Sequence, residues 1–228
     1  MAAVMRQVEK IISPGITTLN IDSLSCELIA KNDALAAFRG YKGYPATACV
    51  SVNEEIVHGI PGPRVLLEGD IVSVDLGINY QGYFSDMAVT LPVGKIDQRK
   101  RKLIEVARKS LDLGISQARS GNSLSDISRS IQSFVEGQGF SVVRQFVGHG
   151  IGSALHEEPE IPNFESEGSN PILKSGMVLA IEPMINMGSW ECIILNNGWT
   201  AVTKDGSPSA HFEHTVAVTN KGPEILTQ

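Results

Sequence analysis

The chain has 228 residues, of which 42% are hydrophobic and 19% are charged, a balance typical of a globular protein rather than a disordered one. The length fits one α/β or α+β unit, so we expect a single domain over residues 1–228. The formal net charge of −6 argues against strong nucleic-acid binding, because phosphate binding requires clustered Lys and Arg side chains.

The cysteines and the hydropathy of the chain indicate the cellular compartment of the protein. The three cysteines, Cys26, Cys49 and Cys192, are odd in number and widely spaced, which favours neither a disulfide framework nor a zinc ribbon. The N-terminal segment lacks the continuous apolar run of a signal peptide, and no later window holds about 18 consecutive apolar residues. We therefore predict a cytoplasmic protein with no membrane partner.

The first half of the chain begins with helical patterns and continues with extended ones. Pro14-Gly15 ends the first helical pattern, and the residues Asn79 to Gly82 join two Val- and Ile-rich runs as a hairpin would. The predicted elements of this half are two helices and three strands, at residues 4–12, 19–31, 47–57, 70–78 and 83–91.

The second half repeats this order. Apolar residues at helical spacing follow Asp97, and Ser123 is a good N-cap for another helix. The predicted elements are two helices and then four strands, at residues 97–119, 123–137, 141–147, 177–185, 193–195 and 214–219. The predicted order is therefore helices, strands, helices and strands, which leaves both α/β and α+β open.

An internal repeat links the two halves. Gly69–Asp75 and Gly176–Glu182 share the pattern glycine, any residue, two aliphatic residues, any residue, aliphatic residue, acid. We predict that the acid ends its strand in both copies. A repeat with so large a period indicates two related halves packed about a pseudo-twofold axis rather than a solenoid.

Further residues extend the repeat on both sides. A His-Gly-Ile sequence precedes each copy, beginning at His58 and at His149, and a second acid, Asp86 or Glu213, opens a β run after each copy. For a single acid, an exposed strand end is the ordinary explanation. Four acids in repeated order are better explained by a shared interior site, where they need a cation to balance their charge.

These residues predict a two-metal site. The expected ligands are Asp75, Asp86, His149, Glu182 and Glu213, a set that suits Mn²⁺, Fe²⁺, Co²⁺ or Zn²⁺ without ranking them. In our hypothesis Asp75 and Asp86 hold one ion, His149 and Glu182 hold the other, and Asp86 and Glu213 bridge. Paired divalent ions activate water and polarise a carbonyl, so amide hydrolysis is the expected reaction.

The other histidines divide into candidates and structural residues. His58 and His156 lie beside turn residues, where a loop can present an imidazole to a cleft, so we predict catalytic and substrate contacts for both against a purely structural alternative. His214 is expected to be structural, and His211 to support Glu213. The glycines around His149 lack the spacing and the Lys of a phosphate-binding loop.

At this point the sequence resembles the methionine aminopeptidase family, type I, of the bacterial kind. The resemblance runs from Pro14-Gly15 to the C-terminal Glu-Ile-Leu-Thr. The matching stretches are Gly43-Tyr44-Pro45, Asn53-Glu54-Glu55 through His58-Gly59-Ile60-Pro61, Gly69-Asp70-Ile71-Val72, Gly148-His149-Gly150-Ile151-Gly152, His156-Glu157-Glu158-Pro159, Ile181-Glu182-Pro183 and Glu213-His214-Thr215.

The resemblance implies the pita-bread fold, an α+β architecture of two pseudo-symmetric halves around a curved antiparallel sheet with helices on its outer face. It implies a metalloaminopeptidase that removes the initiator methionine of nascent chains and peptides when the second residue is small, using the same five ligands and the same two histidines. Its methionine pocket corresponds here to Tyr41, Tyr44, Cys49, Leu155 and Trp199, for which core packing is the alternative. A monomer is expected, with ribosome contact left open.

Two other functions compete with this one. Xaa-Pro peptidases share the fold and the five ligands, but they carry a large additional N-terminal domain. A metal-free binding protein of the same fold would have lost one or more ligands, and all five are present here.

Overall fold

The computed structural model describes residues 1–228, with four α-helices and fifteen strands. The helices are α1 (Ala2–Glu9), α2 (Thr18–Lys31), α3 (Gln98–Gln117) and α4 (Leu124–Gly137). The strands of the first half are β1 (Leu35–Ala36), β2 (Ala48–Val52), β3 (Glu55–Val57), β4 (Ile71–Tyr80) and β5 (Tyr83–Pro92). Those of the second half are β6 (Ser141–Val142), β7 (Gly148–Gly150), β8 (Glu157–Ile161), β9 (Val178–Ile181), β10 (Met184–Asn186), β11 (Cys192–Ile194), β12 (Ala201–Thr203), β13 (Ser209–His211), β14 (Glu213–Thr219) and β15 (Gly222–Ile225).

Helix starts are encoded by local side chains. Thr17 and Asn20 form a reciprocal capping box at the start of α2, and Ser123 and Asp126 form another at the start of α4. The Asp97 side chain accepts a hydrogen bond from the Lys100 amide and caps α3. All three of these starts agree with the predicted ones to within one or two residues.

The principal sheet has nine antiparallel strands, and its central order shows the expected pseudo-symmetry. The strands run β2-β4-β5-β14-β9-β7, so the paired strands β4 and β5 of the first half face the paired strands β14 and β9 of the second. Helix α2 packs on β2, while α3 and α4 pack on each other beside the second half. This arrangement confirms the predicted α+β fold with two related halves.

The main hydrophobic cluster draws on both halves. It contains Val4 and Val8 of α1, Leu103 of α3 and Ile131 of α4, all at most 2% exposed. Burial of such side chains contributes about 1.5–3 kcal/mol each. None of the helices combines the length and apolar composition that a membrane crossing requires.

The predicted hairpin is confirmed, with a tighter turn than expected. Tyr80 pairs with Tyr83, so only Gln81 and Gly82 form the turn, both with positive φ (53° and 88°). Such two-residue turns follow the twist of the strands. As a result the strands extend past the acids, and Asp75 lies inside β4 rather than at its end.

Other details of the prediction are wrong. Residues 47–57 form two strands, β2 and β3, rather than one, and residues 177–185 are divided between β9 and β10. Asp86 lies inside β5 rather than opening a strand, whereas Glu213 does open β14. Helix α1 ends at Glu9, so Ile11 and Ile12 of its predicted apolar face lie beyond it. Residues 141–147 do not form one strand, because β6 pairs with β10 in a small sheet and the chain then crosses to the principal sheet at β7.

Candidate metal centre and active site

Strand register places Asp75, Asp86 and Glu213 on one face of the principal sheet. Asp75 pairs with Ala88, and Glu213 also pairs with Ala88 from the other side. Asp86 lies two residues from Ala88 on the same strand and therefore shares its face, because side chains alternate along a strand. The small Ala88 side chain leaves the space between the three carboxyl groups open.

The second half adds its residues to the same face in the same way. His149 and Thr215 both pair with Ala180, and Glu182 follows Ala180 by two residues. Thr215 is in turn two residues from Glu213, so all five predicted ligands share one face. They also line one cavity.

The five side chains are close together and largely withdrawn from solvent. Ligand atoms of Asp86, His149 and Glu213 all lie within 4.8 Å of one another. The His149 Nε2 atom lies 3.5 Å from Glu182 Oε1. Asp75 Oδ1 and Glu213 Oε1 are buried without any hydrogen-bond partner. Such unpaired acceptors are expensive to bury, so the cluster is incomplete without a positively charged partner.

Burial and mutual repulsion change the protonation of these acids. Burial, followed by the charge of Asp86, raises the pKa of Glu182 and of Glu213 well above their usual range, and the same two effects act on Asp75. Burial raises the pKa of Asp86 to about 7. In a protein without metal the group therefore retains protons at neutral pH, which a divalent cation would displace.

Two glycines explain how His149 reaches this position. A Cβ on Gly148 would collide with the Ala180 carbonyl oxygen, and one on Gly150 would collide with the Glu158 carbonyl oxygen. Strand β7 therefore fits between β8 and β9 only with glycine on both sides of His149. The Gly150 carbonyl lies 2.8 Å from His149 Nδ1, which leaves Nε2 facing the acids.

His58 and His156 lie in loops at the same cavity, as predicted. The His156 ring lies 4.1 Å from the His149 ring and stacks on Tyr41 at 5.2 Å between centroids. Burial lowers the pKa of His58 to about 4, and burial with the charges of His149, Lys42 and His58 lowers the pKa of His156 to about 4. Both imidazoles are thus neutral at pH 7 and can donate one hydrogen bond each.

The opposite end of the cavity is apolar. Tyr44 and Trp199 meet edge to face at 5.1 Å between centroids, and the Tyr44 hydroxyl donates to the Gly59 carbonyl at 2.9 Å. Buried Cys49 pairs with Asp75 across the strands, so it joins the apolar end to the acids. All the predicted pocket residues line this cavity: Tyr41, Tyr44, Cys49, Leu155 and Trp199.

The cavity also contains two residues that the sequence did not assign to it. Phe38 is buried against Gly77, where any side chain would collide with its ring. Lys42 gave no signal, because an exposed lysine in a turn looks like any surface lysine. His211 lies outside this set, with its Nε2 atom 3.7 Å from Glu182 Oε2. Its Nε2 atom thus lies near Glu182 without a hydrogen bond, and support of Glu213 stays a prediction.

The donor set fits divalent metal ions. Four carboxylates and one imidazole suit Mn²⁺, Fe²⁺, Co²⁺ and Zn²⁺, and the buried unpaired oxygens of Asp75 and Glu213 are acceptors that a cation would satisfy. Burial, followed by the charge of Asp75, raises the pKa of the Cys49 thiol. The geometry is that of a hydrolytic metal centre beside an apolar pocket.

Comparison with known proteins also indicates a metal-dependent hydrolase. The model of metallopeptidase family M24 matches residues 1–220. Methionine aminopeptidase 1 of Bacillus subtilis is 50% identical over 228 residues, with 100% of this chain and 92% of the relative covered. The methionine aminopeptidase of Clostridium perfringens is 52% identical over 216 residues, with 95% and 87% covered.

Solved structures agree with the sequence matches. The methionine aminopeptidase of Thermotoga maritima superposes with a TM-score of 0.97 at 49% identity, covering 100% of this chain and 92% of that one. The prolidase of Pyrococcus furiosus gives a TM-score of 0.78 at 20% identity and 60% of its own length, which shows a shared fold only. The chain therefore belongs to metallopeptidase family M24 and, within it, to the methionine aminopeptidases.

Proposed function

We propose that this chain removes the N-terminal methionine from new proteins and peptides, preferentially when the second residue is small. The observation that carries the proposal is one cavity with a buried His-and-carboxylate cluster at one end and an apolar pocket at the other. The full-length similarity to methionine aminopeptidases at about 50% identity supports the choice of substrate.

The acids and His149 are proposed to hold two divalent ions. The residues that would hold them are Asp75, Asp86, His149, Glu182 and Glu213. When bound, such ions supply Lewis-acid activation of water and of an amide carbonyl. The proposal of two ions rests on ligand number, because five side chains with four carboxylates provide more donor atoms than a single ion of this size accepts.

The apolar end is proposed to bind the methionine side chain. Aromatic edges from Tyr44 and Trp199 favour a thioether, since sulfur contacts to aromatic rings are stabilising. With that side chain bound among Phe38, Cys49 and Leu155, the amide after the first residue lies toward the acids. This placement accounts for release of one residue from the N-terminus.

The loop histidines are proposed to act on the substrate carbonyl and amide. His156 is beside His149 and opens to solvent, and His58 faces Trp199 at 6.3 Å between ring centroids. Because both are neutral at pH 7, each is proposed to donate a hydrogen bond to a carbonyl oxygen or to its tetrahedral form. Neither needs to be charged in the resting protein.

A cytoplasmic monomer is the proposed working form. The resemblance to methionine aminopeptidases over the whole chain supports the monomer. The three cysteines are unpaired, as in proteins of reducing compartments.

The test uses protein stripped of metal, to which Mn²⁺, Co²⁺, Fe²⁺ or Zn²⁺ is returned separately. We expect cleavage of Met-Ala-Ser, no cleavage of Ala-Pro, and no activity in an Asp86→Ala variant. Glu27→Gln, which changes an exposed acid on α2, is the matched control and should behave as the unaltered protein. Cleavage of Ala-Pro alone would transfer the chain to the Xaa-Pro peptidases, and silence with every metal would refute catalysis.

A further inference from the structure

We propose that Lys42 makes the enzyme prefer substrates that carry an acidic residue shortly after the cleaved bond. The inference rests on the proposed aminopeptidase function and adds a specificity determinant to it. The carboxylate of such a residue would pair with the Lys42 ammonium at the mouth of the cavity.

Lys42 is the single cationic residue of the cavity wall. Of the fourteen residues that line the cavity, the others are acidic, neutral polar, aromatic or aliphatic, or are histidines. The Lys42 side chain forms no ion pair with any carboxylate of the chain. Its ammonium is thus available to a ligand, and an acidic peptide is the complementary partner.

The backbone holds Lys42 at this position. It lies in a 3-10 turn with φ of +48°, an uncommon conformation for a residue with a side chain, between Gly40 and Gly43 at 86° and 89°. The Gly40 amide donates to the Tyr44 carbonyl at 2.8 Å, and the Tyr44 amide donates to the Tyr41 carbonyl at 2.9 Å. The turn is therefore hydrogen-bonded to Tyr44, which also forms part of the pocket wall.

The path of the substrate passes this turn. Asp75, Asp86 and Glu213 are buried, whereas Lys42 and His156 are exposed, so the peptide beyond the cleaved bond leaves on the Lys42 side. The Lys42 Nζ atom lies 5.4 Å from the Tyr41 ring centroid, Tyr41 stacks on His156 at 5.2 Å, and His156 lies 4.1 Å from His149. An extended peptide covers these steps within about four residues.

The charges around the cavity explain why an acidic residue should be preferred over a neutral or basic one. The chain has a net charge of −6, so its overall field disfavours acidic peptides, and a local positive charge at the mouth opposes that field. An exposed pair of this kind changes affinity by about two- to five-fold.

The experiment compares three peptides that differ at one position. They are Met-Ala-Ala-Glu-Ala, Met-Ala-Ala-Gln-Ala and Met-Ala-Ala-Lys-Ala, all with amidated C-termini, assayed at low ionic strength with the most active metal. For the unaltered enzyme we expect kcat/KM for the Glu peptide to exceed that for the Gln peptide by about two- to five-fold, mainly through KM. The Lys peptide should be the poorest substrate, and added NaCl should reduce the differences.

Variants separate Lys42 from the general field of the protein. The Glu-to-Gln ratio should fall to about one in Lys42→Gln and reverse in Lys42→Glu, while Lys109→Met, which changes an exposed lysine on α3, should preserve it. An equal ratio in the unaltered enzyme and in Lys42→Gln would overturn the role of Lys42 while leaving the aminopeptidase function intact. Failure to cleave even the Gln peptide with any metal would overturn both proposals.

Discussion

Replacing Asp86 by Asn should stabilise the metal-free protein at pH 8 and remove most of the stability that metal ions add. Asp86 is 4% exposed, and burial raises its pKa from 3.8 to about 7. A carboxyl that holds its proton more tightly when folded contributes stability below its unfolded pKa, and this contribution is lost as the pH rises through the folded pKa. By pH 8 the loss for Asp86 is at most about 4 kcal/mol.

Asparagine avoids this loss because it stays neutral at every pH. Its side-chain oxygen can still accept the hydrogen bond that the Met87 amide donates to Asp86 Oδ1 at 3.0 Å. The neighbouring acids benefit as well, since the Asp86 charge helps to raise the pKa of Asp75, Glu182 and Glu213. The Asp86→Asn variant should therefore be more stable without metal but bind metal less well. Such a trade-off between stability and function is common for active-site residues.

Urea unfolding at pH 5, 6.5 and 8 tests this reasoning on EDTA-dialysed protein with and without Mn²⁺. The unaltered protein should lose stability from pH 5 to pH 8 without metal, and Mn²⁺ at 100 times its Kd should restore about 2.7 kcal/mol per site, or roughly 5–10 °C in Tm. Asp86→Asn should show a flatter pH profile and little response to Mn²⁺. The reasoning is refuted if, without metal at pH 8, the variant is no more stable than the unaltered protein, or if it responds fully to Mn²⁺.

Other substitutions test the pocket, the loop histidine and the close strand packing. Trp199→Ala should reduce kcat/KM on Met-Ala-Ser by about tenfold or more through lost apolar contact, measured by initial rates against the Glu27→Gln control. His156→Ala should reduce it by about 10²-fold, with metal affinity in a calorimetric titration largely preserved; equal loss of metal binding would make His156 a ligand instead. Gly150→Ala should lower the free energy of unfolding in urea by about 1–3 kcal/mol and weaken Mn²⁺ binding, because the added methyl group collides with the Glu158 carbonyl beside His149. Unchanged stability would contradict the packing argument.

The structure brings the five predicted ligands together at one cavity, and the sequence signal that selected them is local and repeated. Each acid of the second half lies beside a run of apolar residues that is visible in the sequence, and the repeat indicated that related strands of the first half face it. Pairing of Asp75 and Glu213 with the same Ala88 could not be predicted, since register between distant strands depends on tertiary packing. The sequence indicated which residues belong to the candidate site. The structure shows that their side chains lie on the same face of the sheet.

The strand ends were predicted less well, for reasons that differ between the halves. The turn at Gln81 and Gly82 allows β4 and β5 to pair along ten residues, so Asp75 and Asp86 lie inside them. In the second half Pro183 follows Glu182, and a proline cannot donate to a ladder, so β9 ends where the acid begins. The two copies of the repeat thus form strands that end at different positions, because the residues that end each strand lie outside the repeat.

Lys42 illustrates a limit of a different kind. Its charge carries no periodicity and no spacing signal, and it acquires a role only because its turn is hydrogen-bonded to the pocket residue Tyr44. Rim residues of this kind are placed by loops, whose conformation depends on long-range contacts. Sequence patterns therefore reveal the interior of the site more readily than its entrance.

The two His-Gly-Ile sequences are not structurally equivalent, and the difference separates their roles. His149 pairs with Ala180, two residues before Glu182, so the matching position of the first half is Ser51, which pairs with Ser73, two residues before Asp75.

The first-half histidine occupies a different place in the sheet. Gly59 accepts a hydrogen bond from the Val50 amide, which places His58 on the outer side of β2, in a loop with φ of +59°. One half therefore contributes an imidazole fixed on a strand among the acids, which suits a metal ligand. The other contributes an imidazole on a loop beside Trp199, which suits contact with a substrate that must enter and leave.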